Sequence, residues 1–250
     1  MDLNADVGES FGPWAMGQDA ELIPLLSSAN VACGFHAGDP ATIERTVRLA
    51  ARAGVAVGAH PGYPDLAGFG RRELAMPASE LEASILYQVA AVAGFARDAG
   101  VELRHVKAHG ALYNTAARDR GVAATVARAV RRCSPELVLY GLAGSCLIDA
   151  GREAGLAVAA EAFPDRAYEP DGSLRSRSLP DAVLTDSAAV AQRAVAMARD
   201  GAVVASDGTR IELHADTLCL HGDTPGAVEH ARALRAAFAE AGIDIRPIAR

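Results

Sequence analysis

Short apolar runs alternate with longer helical patterns along all 250 residues of this chain, and almost every run ends in a reactive side chain. Strands are predicted near residues 2–6, 29–33, 55–58, 103–107, 138–141, 158–162 and 217–220. Such alternation leaves two architectures, an open doubly wound sheet or a closed barrel. An open sheet gathers its ligand chemistry at one switch point, so only one or two strand ends should be reactive. Here the ends carry Asn4 and Asp6, then His36, His60, Lys107 with His109, Glu161 with Asp165, and His221 with Asp223. Side chains from that many strands converge only when the strands form a ring with its site at the C-terminal mouth. Seven strands are visible and an eighth is not clear. The expectation is therefore a single α/β domain over residues 1–250, a distorted or incomplete (β/α) barrel.

The segments between the strands support this reading. Asp39–Pro40 supplies a helix cap and a first-turn proline, and that helix closes at Gly54. A helix beginning at Ser79 repeats Leu81, Ile85, Val89, Val92 and Ala96 at helical spacing as far as Gly100. Val190, Ala194 and Met197 mark another helix, and Val228, Ala231, Leu234 and Phe238 the last. Residues 202–215 read instead as a hairpin turning at Asp207–Gly208. Half of the chain is hydrophobic, enough for one substantial core. A net charge of −7 without a basic cluster argues against nucleic acid as a partner. No apolar stretch approaches the ~20 residues of a membrane span, and the acidic first ten residues are wrong for a secretory signal. Cys33, Cys133, Cys146 and Cys219 are scattered without a C-x-x-C pair, as in a reduced protein. A cytoplasmic protein without a membrane partner is expected.

Lys107 is the only lysine among 24 basic residues; the other 23 are arginine. Arginine is bulkier and does not lose its proton, so a site that requires a compact or titratable ammonium excludes it. His105, Lys107 and His109 alternate, which places them on one face of a strand that Gly110 ends. The alternative is a solvated strand end in an arginine-rich composition. Asp6, in N-A-D-V-G-E-S-F-G, suits a general base or a metal ligand, or else a turn. His36 stands between glycines ahead of a helix N-terminus, a setting that favours an anion. Residues 58–72, G-A-H-P-G-Y-P-D-L-A-G-F-G-R-R, are too rich in glycine and proline for regular structure. With His60 at the base and Arg72 near the end, they suggest a lid that binds a carboxylate or phosphate. E-A-F-P-D-R-A-Y adds Glu161, Asp165 and Arg166, the last paired locally with its neighbouring acid. A Walker phosphate loop, a G-x-G-x-x-G turn and a G-x-S-x-G elbow are all lacking, so neither a conventional nucleotide cradle nor a serine nucleophile is indicated. No local zinc signature occurs, although an Asp with two His from separate strands could still hold a divalent metal.

Six stretches together resemble the LamB/YcsF family: D-L-N-A-D-V-G-E-S-F-G, N-V-A-C-G-F-H-A-G-D-P, G-A-H-P-G-Y-P-D-L-A-G-F-G-R-R, V-K-A-H-G-A-L-Y-N, E-A-F-P-D-R-A-Y and L-C-L-H-G-D-T-P. They run in order from Asp2 to about Val228. Ala108 departs from the proline usual between the Lys and His, which alters loop stiffness rather than chemistry. The resemblance implies a seven-stranded barrel of the glycoside hydrolase and deacetylase kind. It also implies the activity of bacterial ATP-dependent 5-oxoprolinase, whose A subunits these proteins are. That reaction opens 5-oxo-L-proline to L-glutamate with ATP as co-substrate, Mg2+ accompanying the nucleotide, and separate B and C subunits as partners. On this basis Asp6, Lys107, His109 and Glu161 are the expected catalytic residues. Asn4, His36, His60, Arg72, Asp165 and His221 are the expected substrate-binding residues.

Two other readings compete. One is a metal-dependent N-deacetylase of sugars, using Asp6 and two of His36, His60 and His109. The other is a noncatalytic subunit that delivers oxoproline to its partners.

Overall fold

The computed structural model describes residues 1–176, 179–222 and 226–248. Asp223 and Pro225, read above as part of the last reactive stretch, lie outside the described residues. The elements are β1 (Asp2–Val7), α1 (Asp19–Leu22), β2 (Ser28–Ala32), α2 (Pro40–Ala53), β3 (Ala56–His60) and α3 (Ala78–Asp98). They continue with β4 (Leu103–Lys107), α4 (Gly110–Arg118), α5 (Arg120–Cys133), β5 (Val138–Leu142), α6 (Cys146–Glu153) and β6 (Ala157–Ala162). The chain ends with α7 (Ser187–Asp200), β7 (Ala202–Val204), β8 (Arg210–Glu212), β9 (Thr217–Leu220) and α8 (Ala227–Glu240).

Seven parallel strands close a barrel in the order β1-β2-β3-β4-β5-β6-β9. The distortion lies where the last strands meet. β6 and β9 pair through only Glu161↔Thr217 and Ala162↔Leu218, and residues 163–216 leave the ring there to form α7 and the antiparallel β7–β8 hairpin. An excursion thus occupies the place of an eighth strand.

The local signals act as their chemistry requires. Asp39 accepts from the Ala41 and Thr42 amides at 3.0 and 3.2 Å to start α2, and Gly54 stops it with φ 69°. Ile85, Val89 and Val92 of α3 are buried against the barrel wall.

Alternation divides each strand between two environments. On β1, Leu3, Ala5 and Val7 face outward into the large apolar core between barrel and helices, while Asp2, Asn4 and Asp6 face the barrel axis. The inward positions of the neighbouring strands are Ser28 and Asn30, then His60, His105 and Lys107, Tyr140, Glu161, and Thr217 with Cys219. The apolar core is therefore an annulus around a polar shaft. Hydrogen bonds fill the lower end of that shaft. Asp2 Oδ1 accepts from Ser27 Oγ at 2.6 Å and Ser28 Oγ at 2.7 Å, and Oδ2 accepts from Thr217 Oγ1 at 2.6 Å and Tyr140 Oη at 3.0 Å. Above it, Asn30 Nδ2 donates to Asn4 Oδ1 at 2.7 Å, and His105 Nε2 meets Asn30 Oδ1 at 2.7 Å. A side chain at Gly58 would overlap the His105 ring, so a glycine is required where that imidazole crosses the barrel. Among the described residues, no helix is long and apolar enough to cross a membrane.

Candidate active site

Polar side chains reach the mouth because β1, β3, β4, β6 and β9 end there, and alternation aims their last inward positions at one point. At the centre is the Lys107 ammonium. Its Nζ lies 3.0 Å from Asp6 Oδ1, 3.0 Å from Glu161 Oε1, 2.9 Å from Cys219 Sγ and 3.4 Å from Asn4 Oδ1. The rings of Tyr113 and Phe163 flank it at 5.9 and 5.3 Å. Burial opposes the charge on Lys107, but Asp6, Cys219 and Glu161 outweigh that penalty and hold its pKa well above the usual lysine value. Of the two properties that could exclude arginine here, the raised pKa leaves compactness, because the ammonium stays charged at physiological pH.

Asp6 also accepts from Asn30 Nδ2 at 2.9 Å and lies 3.2 Å from His60 Nε2. Burial would raise its pKa, yet His60 and Lys107 beside it bring the carboxyl well below the usual range. Glu161 is fully buried and accepts from Asn4 Nδ2 at 2.9 Å. Asn4 and Glu161 thus sit beneath the mouth and fix Lys107 from below.

A second group adjoins this one. The His36 and His109 rings stack with centroids 3.7 Å apart, and His60 stands edge-on to both. His109 Nδ1 is 3.0 Å from His60 Nε2. Glu9 Oε1 is 3.6 Å from both His36 Nε2 and His109 Nδ1. Burial, and then the neighbouring imidazoles, push His36 well below its ordinary pKa; burial and then His60 bring His109 down to about 3. Both rings are therefore neutral at physiological pH.

Asp6, His60, Lys107, His109 and His221 line one cavity of about 1150 Å³. Of the expected ring, His36 and Glu161 are fully buried behind that lining. His221 reaches the cavity with its Nδ1 held 2.8 Å from Asp165 Oδ2. Asp165 is itself wholly buried and lies behind His221, whose ring it orients. Burial would raise the Asp165 pKa, but the His221 contact lowers it overall.

Arg72 departs from expectation. Its guanidinium pairs with Asp65, and 64% of its side chain is exposed. Arg71 lines the cavity instead, with its guanidinium carbon 4.8 Å from the centre of the Phe69 ring. Residues 61–72 are likewise less free than a lid. Gln88 of α3 holds both the amide and the carbonyl of Gly62 at 2.9 Å, and the Ala111 and His109 amides bind Gly70 O and Pro61 O at 2.9 and 2.8 Å. The segment is a wall of the site. Arg166 bonds the backbone carbonyls of Ala182 and Arg175, at 3.1 and 2.6 Å.

Sequence reasoning did not assign Glu9, Asn30, Arg71 or Cys219 to the site. Asn30 and Cys219 were recoverable from strand alternation, since each is inward when its neighbour is packed in the core. Glu9 follows Asp6 by three residues in a glycine loop, a faint signal. Nothing in the sequence separates Arg71 from Arg72; the placement of Asp65 decides it.

The LamB/YcsF family pattern matches residues 1–250. This chain belongs to the LamB/YcsF family. It is 58% identical over 246 residues to the A subunit of 5-oxoprolinase from Chloroflexus aggregans, and 53% identical over 246 residues to that from Tolumonas auensis. Each match covers 98% of both chains. Among solved structures, a lactam utilization protein from Thermus thermophilus superposes with a TM-score of 0.94 at 50% identity, covering 99% of each chain. The catalytic domain of a peptidoglycan N-acetylglucosamine deacetylase from Eubacterium rectale shares only the fold. It gives a TM-score of 0.51 at 11% identity, covering 99% of this LamB/YcsF chain and 87% of the deacetylase.

Proposed function

We propose that this chain is the A component of an ATP-dependent 5-oxoprolinase, acting in the cytoplasm with B and C subunits to open 5-oxo-L-proline to L-glutamate. The observation that carries the reading is the Lys107 ammonium, held charged between Asp6 and Glu161 in the lining of a cavity of about 1150 Å³.

A five-membered lactam is a resonance-stabilised amide with a poor leaving group. Transfer of the ATP γ-phosphoryl group to the lactam oxygen releases ADP and makes the carbonyl carbon electrophilic. A first water then adds and the C–N bond breaks with proton transfer to nitrogen, leaving a glutamyl acyl phosphate. A second water cleaves that acyl phosphate and releases inorganic phosphate and the glutamate carboxylate. Negative charge develops at the reacting oxygen in this sequence. Lys107 is a fixed cation that needs no reorganisation to stabilise it. Asp6 is ionised and engaged at both oxygens, so its role is to hold Lys107 and His60 in place. His221, with Nδ1 committed to Asp165, presents its other nitrogen to the cavity as the base that activates water. Arg71 at the rim suits the substrate carboxylate or a phosphate. The cavity exceeds the needs of a small lactam, which leaves room for the phosphoryl donor. The chain carries no conventional phosphate loop, which favours an ATP site completed by partner subunits.

The test is glutamate and ADP formation from 5-oxoproline and ATP, by this chain alone and after addition of the B and C subunits. Coupled turnover only in the mixture is expected. Equal turnover by the isolated chain would remove the partners from the account, and none in either case would remove the reaction.

A further inference from the structure

The imidazole cluster beside Lys107 contains a buried ring, His36, whose nitrogens have no hydrogen-bond partner among the described residues. His60 Nδ1 lies 2.7 Å from Lys107 O, and His109 Nε2 lies 2.8 Å from Phe69 O. A carbonyl only accepts, so each of these nitrogens carries its proton as a donor. His60 Nε2 and His109 Nδ1 face each other at 3.0 Å, so at most one proton lies between them. Asp6 Oδ2 approaches the same point, 3.2 Å from His60 Nε2. His36 is completely buried, and neither of its ring nitrogens has a hydrogen-bond partner among the described residues. One ligand atom from each of Glu9, His36, His60 and His109 lies within 4.8 Å of all the others.

A single proton between His60 and His109 would settle one pair and leave His36 unanswered. We infer that Glu9, His36, His60 and His109 form a binding site for one divalent transition-metal ion of the zinc class, adjoining the Lys107 floor. A tetrahedral ion with bonds of about 2.0–2.1 Å sets its donors about 3.4 Å apart. The contacts of 3.0, 3.6 and 3.6 Å among His60, His109, Glu9 and His36 bracket that value. A metal-bound histidine commonly donates its other N–H to a carbonyl, as His60 and His109 already do. Three imidazoles and a carboxylate select a borderline cation over Mg2+ or Ca2+, which prefer oxygen donors. Because His36 lies flat on His109, its ring must turn about the Cβ–Cγ bond to aim Nε2 at the ion. Gly62 and Gly70 keep that wall clear: a Cβ at Gly62 would stand 2.9 Å from His36 Nδ1, and one at Gly70 2.8 Å from His36 Cβ. Such an ion could polarise an oxygen or activate water. The inference does not rest on the lactam reading, because binding is measured without substrate.

The experiment uses the full chain, stripped with a chelator and dialysed against Zn2+ or Mg2+. Metal is read by plasma mass spectrometry and stability by thermal midpoint. Retention of about one Zn2+ per chain is expected, with a midpoint that rises with Zn2+ and not with Mg2+. Glu9→Gln and His36→Gln, each checked for native circular dichroism, should lower the retained zinc severalfold. Co2+ in place of Zn2+ should give visible ligand-field absorption in the wild type alone. Zinc well below stoichiometric in the wild type would overturn the inference and leave a shared proton between His60 and His109. Stoichiometric zinc that is unchanged in both variants would overturn it equally, because the ion would then sit elsewhere. Should either variant fail to fold, the wild-type midpoint shift and Co2+ spectrum decide the question.

Discussion

The two ends of the barrel shaft solve the same problem in opposite ways. Both bury polar side chains, which is costly unless they are hydrogen-bonded. At the lower end, neutral hydroxyls deliver four hydrogen bonds to Asp2, two on each oxygen. At the mouth, one ammonium is shared between two carboxylates, two imidazole nitrogens oppose each other at 3.0 Å, and His36 has no hydrogen-bond partner among the described residues. A saturated network fixes strands in register and has nothing left to offer a ligand. An unsaturated one, over a cavity, is organised for something that arrives later.

This contrast predicts that substitutions at the mouth will damage turnover and those at the lower end stability. Asp6→Asn removes one of the two carboxylates on Lys107 and should cut ATP-coupled glutamate formation by on the order of a thousandfold. Its thermal midpoint should move far less, because Glu161 still pairs with the lysine. Asp2→Asn replaces two acceptor positions with a donor group that faces hydroxyls. It should cost roughly 3 kcal/mol in urea unfolding, while the folded fraction turns over normally. A large loss of turnover in folded Asp2→Asn would erase the distinction between the two ends.

His105 links them and makes the contrast pH-dependent. Burial, and then Lys107 and His60, lower its pKa from 6.5 to about 3. The unfolded chain therefore binds a proton below about pH 6.5 that the folded chain refuses until about pH 3, so stability is lost as pH falls through that window. At pH 5 the loss from this one group is roughly 2 kcal/mol. His105→Gln should flatten the urea-unfolding dependence between pH 7.5 and 5; an unchanged slope would assign the effect to other groups. The smallest effect expected is at Arg72. Its alanine variant should keep turnover within about threefold, whereas Arg71→Ala should raise KM about tenfold or more. The reverse ranking would show that the loop turns its other arginine inward during catalysis.

Much of this was legible in the sequence, for definite reasons. Polar residues at successive strand ends pointed to a closed ring, and the alternation of His105, Lys107 and His109 placed them on one inward face. Asp39–Pro40 and Gly54 bounded their helix because capping is a local property. The missing eighth strand was legible only as an absence. That β6 and β9 close directly depends on a two-residue pairing between segments far apart in sequence. The sequence does not show placements that a partner distant in sequence, or a turn between neighbours, decides. Asp165 lies buried behind His221, with its carboxylate 2.8 Å from that ring's Nδ1. Arg72 is claimed by Asp65, seven residues before it, and Glu9 gains significance only once three imidazoles gather around it.

The central claim is that the mouth requires one compact, permanently charged ammonium at Lys107 for lactam opening. The most direct measurement is ATP-coupled glutamate release by the complex assembled with Lys107→Arg, alongside its thermal midpoint. The guanidinium keeps the charge but cannot fit among Asp6, Glu161, Asn4 and Cys219 with the same contacts. The account predicts a folded protein whose turnover falls about a hundredfold or more, with ADP formation falling in step. A folded Lys107→Arg protein with near-normal coupled turnover would contradict it.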